Sequence, residues 1–459
     1  MRHALRNVML AGMVLLLLAS LFAHPPITWT LEEPASEAYI TGGPWTLEQA
    51  GASQDKRAAG YCVPFGPSGV QQPNPGTERM QPYYFPHVTG FGQHLQGIFD
   101  YRPRNIDEAT VAAVSTDGGR TWQFQQEVLE LTDQCPASAA QDLNNDNGLG
   151  HPFVMTIGGT TLLYNLDRRD GHIDSDGLVV TTLTPQPGLP LHGAPEDDPG
   201  GDDLVTPGAI ENPGVYTKTI GLLNPDAILG AIPGQVPGSR VILYIQKQRG
   251  ADVSFPAAQQ CLNAAYTPPL PETNHDVTTP RLAQTTDGVH FTDLGPVTGL
   301  NDPTTVAPTG TRWVGSGSLL PLHGGRYGLF FAGGTCVDAD SDAFHYIGYA
   351  ESPDLRHWTV INGIDNPIAS TAPFTKTYQG TPVTVPSTPP VIGNTQGWFE
   401  GRAYGPNALR TGTPSHAVTI VFAGYHTPKP KNALGDYRTI GRFSLAPSHP
   451  DQVDEGDEE

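Results

Sequence analysis

Basic residues are scarce in this sequence. Its 25 lysines and arginines stand against 46 aspartates and glutamates, which gives a formal net charge of −21 at pH 7. Such a chain lacks the positive surface that nucleic acids and anionic membranes attract. We therefore expect neutral or cationic ligands and no nucleic-acid partner. Residues 447–459 are strongly acidic and predict a disordered tail.

Cysteine is rare as well. The four cysteines are Cys62, Cys135, Cys261 and Cys336. None of them forms a CxxC pair or a cysteine–histidine spacing that is typical of zinc sites. In an oxidising compartment an even number of cysteines predicts two disulfides, and three pairings are open.

A long hydrophobic run occurs only near the N-terminus. Arg2 and Arg6 precede an apolar stretch over residues 8–23, which Pro25 and Pro26 follow closely. The stretch has about 16 residues, short of the roughly 20 that a membrane-spanning helix needs. We expect a signal peptide over residues 1–23 and a secreted protein, extracellular or periplasmic. An uncleaved N-terminal anchor is the alternative, and no other stable membrane partner is expected.

No long stretch of the chain has the periodicity of an amphipathic helix. Glycine and proline are instead abundant, with 53 and 45 residues, and only 15% of the chain is charged. This composition favours many short strands joined by turns. At 459 residues the chain is long enough for one large all-β domain.

One unit recurs five times along the chain. Each copy has an apolar strand, a turn and a second apolar strand that ends in polar residues, and a third strand follows. The copies span residues 83–102, 150–169, 223–249, 314–334 and 404–426. The spacing predicts an all-β fold, a five-bladed β-propeller over residues 80–446, with residues 24–79 closing the ring or covering a face. A β-sandwich with similar turns is the alternative.

The turn at residues 115–122, STDGGRTW, has a specific pattern. Its Asp-Gly-Gly sequence supplies the positive φ angles of a tight hairpin. The string resembles the Asp box of sialidases, Ser-x-Asp-x-Gly-x-Thr-Trp, at every fixed position. We expect a structural role, in which Asp117 caps local backbone N–H groups and Trp122 packs between layers of the propeller.

A related turn at residues 351–361, ESPDLRHWTVI, resembles that of glycoside hydrolase families 43, 32 and 62. This resemblance implies a furanosidase-type five-bladed propeller. Those enzymes usually carry aspartate before the proline of an innermost strand. Here the residues before proline are Phe85, His151, Asn224 and Gly405, so the catalytic base of those families has no counterpart at this position.

The geometry of a propeller gathers the starts of innermost strands and the ends of second strands on one face. Carboxylates converging there with arginine, histidine and aromatic residues would suit glycosidic bond hydrolysis. The candidate catalytic residues are Asp226, Glu400, Asp100 and Asp167. The candidate substrate-binding residues are His87, Arg102, His151, Arg168, Arg249, Trp398, Arg402 and Tyr404.

Two loops have oxygen side chains at alternate positions. Such spacing resembles the first half of a calcium loop, although neither loop has the glutamate of an EF-hand. The candidate ligands are Asp142, Asn144 and Asp146 in one loop, and Asp338, Asp340 and Asp342 in the other. We expect no required cofactor. The two interpretations of these loops are a structural Ca²⁺ site and a solvated turn without a metal.

The leading hypothesis is a secreted, monomeric hydrolase that cleaves an oligo- or polysaccharide with a pair of carboxylates. A sialidase-like exo-glycosidase is a second hypothesis, since the four candidate arginines could clamp a carboxylate. The resemblance places sialidases on six-bladed rings, however, and this sequence has five copies. A glycan-binding propeller without catalysis is the third hypothesis, because a fold alone does not imply activity.

Overall fold

The computed structural model describes the strands and the shorter connections of the chain. The described residues are 25–41, 83–101, 107–129, 147–167, 177–185, 191–193, 217–248, 266–267, 277–300, 313–334, 344–371, 373–378, 381–385, 388–393, 398–411, 417–425 and 438–453. In these residues the structure is almost all β and forms the five-bladed propeller that the sequence predicts. No helix in this part of the chain is long and apolar enough to cross a bilayer.

Strand β1 (Trp29–Thr41) precedes the first blade along the chain. Blade 1 then consists of β2 (Tyr83–Phe91), β3 (His94–Tyr101), β4 (Asp107–Ser115) and β5 (Thr121–Leu129). Blade 2 consists of β6 (Asn147–Ile157), β7 (Thr160–Asp167) and β8 (Leu178–Pro185), with β9 (Leu191–Gly193) and β10 (Thr217–Lys218) both paired to β8. Within each blade, consecutive strands are antiparallel.

Blades 3 and 4 follow the same plan. Blade 3 consists of β11 (Pro225–Pro233), β12 (Arg240–Gln248), β14 (Val277–Thr285) and β15 (Phe291–Pro296). Blade 4 consists of β16 (Trp313–Leu322), β17 (Arg326–Gly334), β18 (Tyr346–Ser352) and β19 (Thr359–Asn362), extended by β20 (Ala369–Ser370) and β23 (Ile392–Gly393). A separate small sheet contains β13 (Tyr266–Thr267), β21 (Phe374–Tyr378) and β22 (Thr381–Val385).

Blade 5 joins the two ends of the described chain. It consists of β24 (Arg402–Arg410), β25 (Val418–Tyr425) and β26 (Arg438–Pro447), and β1 is its outer strand. The last residues of β1 leave β26 and pair in parallel with β5 of blade 1. The N-terminal strand therefore bridges the first and last blades.

The chain remains ordered beyond residue 446, where the predicted acidic tail begins. Pro450–Gln452 form a single 3₁₀ turn, and Val453 pairs with Leu322 at the end of β16. Gln452 is buried and accepts a hydrogen bond from Arg326. These contacts hold the segment through residue 453 against blade 4, because they bury its side chains and satisfy their polar groups.

Apolar side chains pack between neighbouring blades, so the core is a ring of clusters. One cluster joins blades 4 and 5, a second joins blades 3 and 4, a third joins blades 5 and 1, and a fourth joins blades 2 and 3. Between blades 1 and 2 a buried polar bond contributes, in which Asn165 Nδ2 donates to Thr110 Oγ1 at 3.0 Å.

The turn between β4 and β5 is structural, as its sequence predicts. Asp117 Oδ1 accepts hydrogen bonds from the backbone N–H groups of Arg120 and Thr121, and Ser115 Oγ accepts one from Gly119. Partial burial disfavours the ionised Asp117, but bonds from Thr121, Ser115 and Arg120 outweigh it and lower the pKa of this carboxyl. Trp122 is buried in the cluster between blades 5 and 1.

Two other blades repeat this turn. Asp287 in blade 3 and Asp354 in blade 4 each accept hydrogen bonds from two backbone N–H groups and from a histidine Nδ1. Desolvation opposes these bonds, yet the bonds lower the pKa of both carboxyls to about 2. All three turns lie between third and fourth strands, at the far end of each blade from the start of its innermost strand.

Candidate functional site

An axial channel runs along the centre of the ring. The innermost strands β2, β6, β11, β16 and β24 surround it, and its volume is about 230 Å³. We call the end at which these strands begin the mouth. Most loops that start or finish on this side lie outside the described residues, so the described site consists of the strand starts themselves.

A bulge at the start of the innermost strands shapes the mouth. Each of these strands has a register shift at this point. In four blades the residue before proline has a positive φ: 42° at Phe85, 53° at His151, 40° at Asn224 and 59° at Gly405. Such a backbone is costly for a residue with a Cβ atom, and it persists only where surrounding contacts enforce it. The bulge thus occurs in all five blades, and in four of them it includes an X-Pro pair.

Aromatic rings form one side of the mouth. The phenyl ring of Phe85 lies 3.8 Å from the imidazole of His151, measured between ring centroids. On its other side Phe85 contacts the edge of Tyr404 at 4.7 Å, and Tyr404 stacks on Phe344 at 6.0 Å. Phe85 thus lies between the rings of His151 and Tyr404.

His151 joins two buried carboxylates. Its backbone N–H donates to Asp100 Oδ2 at 3.0 Å. Its Nδ1 lies 3.2 Å from the carbonyl oxygen of Asp226 and 3.8 Å from Asp226 Oδ2. Because a carbonyl oxygen only accepts, this contact requires the proton on Nδ1 and leaves the basic lone pair on Nε2. Lys247 Nζ lies 3.9 Å from Asp226 Oδ1 and brings a positive charge to the cluster.

The carboxylates of Asp100 and Asp226 are buried, unlike those of an open catalytic pair. Both contact His151, Asp100 at its backbone N–H and Asp226 at its ring. Asp100 is fully buried, and the side chain of Asp226 is 7% exposed. Neither carboxylate is among the described residues that line the channel. Asp226 lies between blades 2 and 3, so the expectation that it points at the axis is wrong.

The aromatic residues predicted to stack on sugars are buried. Trp398 is 1% exposed and packs with Phe399 and Phe422 in the core between blades 4 and 5. Tyr404 is 1% exposed and lies behind Phe85. Neither ring has a face open to a ligand, so the prediction that they bind substrate is wrong. Trp398 and Phe399, which precede β24, fill the gap between blades 4 and 5.

The other predicted residues are spread over the face. His87 and His151 line the channel, Arg402 is buried at the start of β24, and Glu400 is exposed in the turn before it. The side chain of Asp167 is outside the described residues. The same holds for the following predicted residues: Arg102, Arg168, Arg249, Asp142, Asn144, Asp146, Asp338, Asp340, Asp342 and the four cysteines. Their assigned roles stay predictions.

Sequence analysis missed three contributors to the channel and the cluster. Phe85 holds the same pre-proline position as His151, and this shared position could have identified it. Lys247 stands beside the predicted Arg249 at the end of a second strand. Asn407 follows the proline of blade 5, as Asp226 follows that of blade 3, and this shared position could have identified it.

The residues that the structure describes include no group of three or more histidine, cysteine, aspartate or glutamate side chains that could hold a metal ion. Both predicted calcium loops fall outside this part of the chain.

Comparison with known proteins gives likenesses to solved structures alone. No protein family and no curated protein matches the sequence. An N-acetylgalactosamine deacetylase from F. plautii, in complex with blood group B trisaccharide, is similar at a TM-score of 0.49 and 10% identity, over 92% of this chain and 96% of that one.

Two glycoside hydrolase structures are similar as well. The GH43_1 enzyme from Xanthomonas citri, complexed with xylose, has a TM-score of 0.41 and 14% identity, over 80% of this chain and 87% of that one. The alpha-L-arabinanase of Penicillium chrysogenum, complexed with arabinobiose, has a TM-score of 0.39 and 14% identity, over 80% and 93%. The five-bladed fold of this chain rests on its own strand pairing.

Proposed function

We propose that this protein is a secreted hydrolase of glycosidic bonds that acts at the mouth of the axial channel. One observation carries the proposal: two buried carboxylates, Asp100 and Asp226, contact the same channel-lining histidine, His151. Hydrolysis of an acetal requires an acid and a base beside the scissile bond, and carboxyl groups supply them in most glycosidases. The proposed substrate is an oligo- or polysaccharide.

The chemistry divides between an acid and a base. Glu400, exposed in the turn before β24, would protonate the glycosidic oxygen as the bond to the anomeric carbon breaks. Because Asp226 does not line the channel, the proton of the water that adds to that carbon would pass to Nε2 of His151, while Asp226, beside the Lys247 ammonium, would hold the Nδ1 side of the ring. His151 would connect the buried Asp226 to a ligand in the channel, because its ring contacts Asp226 and lines the channel.

The test is a screen of aryl glycosides and plant polysaccharides with the wild type, Asp226→Asn and Glu400→Gln. Each substitution removes an ionisable group but keeps the side-chain shape, and we expect activity to fall by about 10²–10⁴ in each variant. Asp451→Asn is the matched control, since Asp451 is exposed in the C-terminal turn. Unchanged activity in both site variants would refute this assignment.

A glycan-binding propeller without catalysis is the second candidate. It is favoured by Phe85, which presents a phenyl ring at the mouth, and by the low exposure of Asp226 between His151 and Lys247. Affinity electrophoresis in polysaccharide gels distinguishes the two functions. Retardation without any product in the hydrolysis screen would favour binding alone.

We further propose that the protein is a monomer and that a structural Ca²⁺ binds the two predicted loops. The loops combine three alternate oxygen side chains each, the donors that Ca²⁺ prefers. Addition of EDTA should then lower the melting temperature, and Ca²⁺ should restore it while Mg²⁺ does not. A melting temperature that EDTA leaves unchanged would refute the calcium proposal.

A further inference from the structure

The hairpin formed by β21 and β22 differs from the rest of the chain in composition. Residues 371–390, which include it, contain six threonines and five prolines, and Lys376 is their single charged residue. The whole chain, by contrast, has 46 acidic residues among 459. It has no Asn-x-Ser/Thr acceptor sequence for N-linked sugars. A segment rich in threonine and proline and poor in charge is typical of O-glycosylated regions in exported proteins.

Threonine hydroxyls of this hairpin are open to solvent. Thr375 in β21 and Thr384 in β22 are exposed and lie directly opposite each other, with their Oγ1 atoms 2.8 Å apart. One of these hydroxyls donates to the other, so the accepting hydroxyl keeps its own hydrogen for another partner. Thr381, at the start of β22, and Thr388 are exposed as well. These four threonine side chains are therefore within reach of another macromolecule.

A proline lies within two residues of each of the four threonines. These prolines are Pro373, Pro382, Pro386 and Pro389. Proline restricts the residue before it to extended backbone, and an extended segment is the form that a chain-binding cleft takes up. Among the described strands, β22 pairs with β21 alone, so its other edge is open. The acceptor threonines thus stand on an accessible and extended edge of the structure.

We propose that this hairpin is a site of O-glycosylation and that the exported protein carries hexoses on Thr375, Thr381, Thr384 and Thr388. The donor is a hexose that a phosphate links to a polyprenyl lipid. The threonine Oγ1 attacks the anomeric carbon, and the bond from that carbon to the phosphate oxygen breaks with its electron pair leaving on the phosphate. The hydroxyl proton passes to a base of the transferase.

The modification rests on the proposed export of the chain but not on the proposed hydrolysis. None of the four threonines is among the described residues that line the channel, and none contacts the cluster of Asp100, His151 and Asp226. Loss of the sugars should therefore leave hydrolysis at the mouth unchanged, and the two proposals can fail separately.

A second pair of threonines provides a matched control. Thr156 in β6 and Thr161 in β7 also lie opposite each other, with their Oγ1 atoms 3.3 Å apart, and Thr156 is exposed. No proline lies within three residues of either threonine. The two pairs share the same cross-strand arrangement and differ in their proline context. We expect hexoses on the hairpin and none on Thr156 or Thr161.

Mass spectrometry of the protein from the culture medium of its own organism tests the proposal. Trypsin cuts after Arg356, Lys376 and Arg402, so the four acceptors fall in the peptides 357–376 and 377–402. Both peptides should be heavier by whole hexose masses, while the peptide that contains Thr156 and Thr161 should have its unmodified mass.

Exported protein in which the peptides 357–376 and 377–402 both have their unmodified masses would overturn this proposal alone. Equal modification of Thr156 and Thr161 would overturn the assignment to the hairpin. A protein that is found only inside the cell and carries no hexose would overturn both the export and the modification.

Variants give a second readout. Valine has nearly the shape of threonine and a similar preference for strands, so a fourfold threonine-to-valine variant at the acceptors should fold and be exported. Its peptides should lose every hexose mass. Thr156→Val combined with Thr161→Val should leave the hexoses of the hairpin unchanged. An exported fourfold variant that still carries hexose in either hairpin peptide would overturn the proposal.

Discussion

Phe85 and His151 face each other at the mouth of the channel, 3.8 Å apart between ring centroids, and each precedes a proline in a left-handed backbone. A conformation of this kind costs about 1–3 kcal/mol per residue. The cost is offset where the bulge lets Phe85 contact His151 and Tyr404, and lets the His151 N–H reach Asp100. The bulge thus connects the aromatic side of the mouth to its buried carboxylates.

Gly405 provides a test of this packing. Its φ is 59°, and a Cβ atom there would lie 3.2 Å from Phe85 Cδ1. Gly405→Ala should lower the free energy of unfolding by about 2–3 kcal/mol, because backbone strain and crowding of Phe85 add. Gly238→Ala is the matched control, since its φ is 78° and nothing lies within 4 Å of the new atom.

Urea denaturation of both variants measures the difference. Gly238→Ala should cost only about 1 kcal/mol, the backbone part of the effect. Equal losses in the two variants would show that contact with Phe85 contributes nothing to stability.

Asp117 organises a turn far from the mouth, and its removal should affect stability alone. Asp117→Ala deprives the backbone N–H groups of Arg120 and Thr121 of their acceptor. We expect a loss of about 1–2 kcal/mol in the free energy of unfolding, measured with urea, because such caps are worth this much. The glycan binding or hydrolysis of the folded variant should equal that of the wild type. A drop in kcat with stability unchanged would contradict the structural role.

Glu33 connects blades 5 and 1 through two arginines of different exposure. Its carboxylate contacts Arg442, whose side chain is 4% exposed, and Arg120, whose side chain is 43% exposed. Burial lowers the pKa of Arg442, and the Glu33 charge opposes that shift. Glu33→Gln should therefore cost about 1–3 kcal/mol of unfolding free energy, since it leaves a buried cation without its counter-charge.

Arg120→Gln is the comparison for Glu33→Gln. The pair between Arg120 and Glu33 is exposed, so its loss should cost less than about 1 kcal/mol in the same denaturation experiment. If Arg120→Gln were the more damaging change, burial of Arg442 would not determine the stability of this junction.

The repeat and its turns were sufficient to predict the fold, because strand alternation and turn residues are local properties of the sequence. The role of Asp117 followed from the same local logic. The error at Trp398 has a different cause. A tryptophan in a loop before a strand can face solvent or an interblade gap, and its orientation here depends on contacts with Phe422 and Phe399 that are not local in the sequence. The orientation of Asp226 differs from the prediction because the bulge at Asn224 rotates the residues that follow it. A bulge changes which side of a strand a residue faces.

Lys247 and His87 show a second limit of sequence analysis. The contact of Lys247 with Asp226 joins neighbouring strands of blade 3, so its meaning depends on where Asp226 points. His87 was predicted to bind substrate because of its position, but its neutral state comes from burial against blade 2. Burial is a property of the closed ring, which the repeat does not specify in detail.

His87 should make the protein sensitive to mild acid. Its pKa is about 4 in the folded protein and 6.5 without burial. The unfolded chain therefore takes up this proton first as the pH falls below about 6.5, and stability declines until about pH 4, where the folded form is protonated too. The wild type should lose up to about 3 kcal/mol of unfolding free energy over this range relative to His87→Leu.

The comparison between the two proteins isolates His87, because every other ionisable group is the same in both. Urea denaturation at pH 7, 6, 5 and 4 gives the two profiles, and His323→Ala should follow the wild type because His323 is exposed. Parallel profiles for the wild type and His87→Leu would mean that His87 titrates normally. Burial of the imidazole would then contribute nothing to the pH dependence of stability.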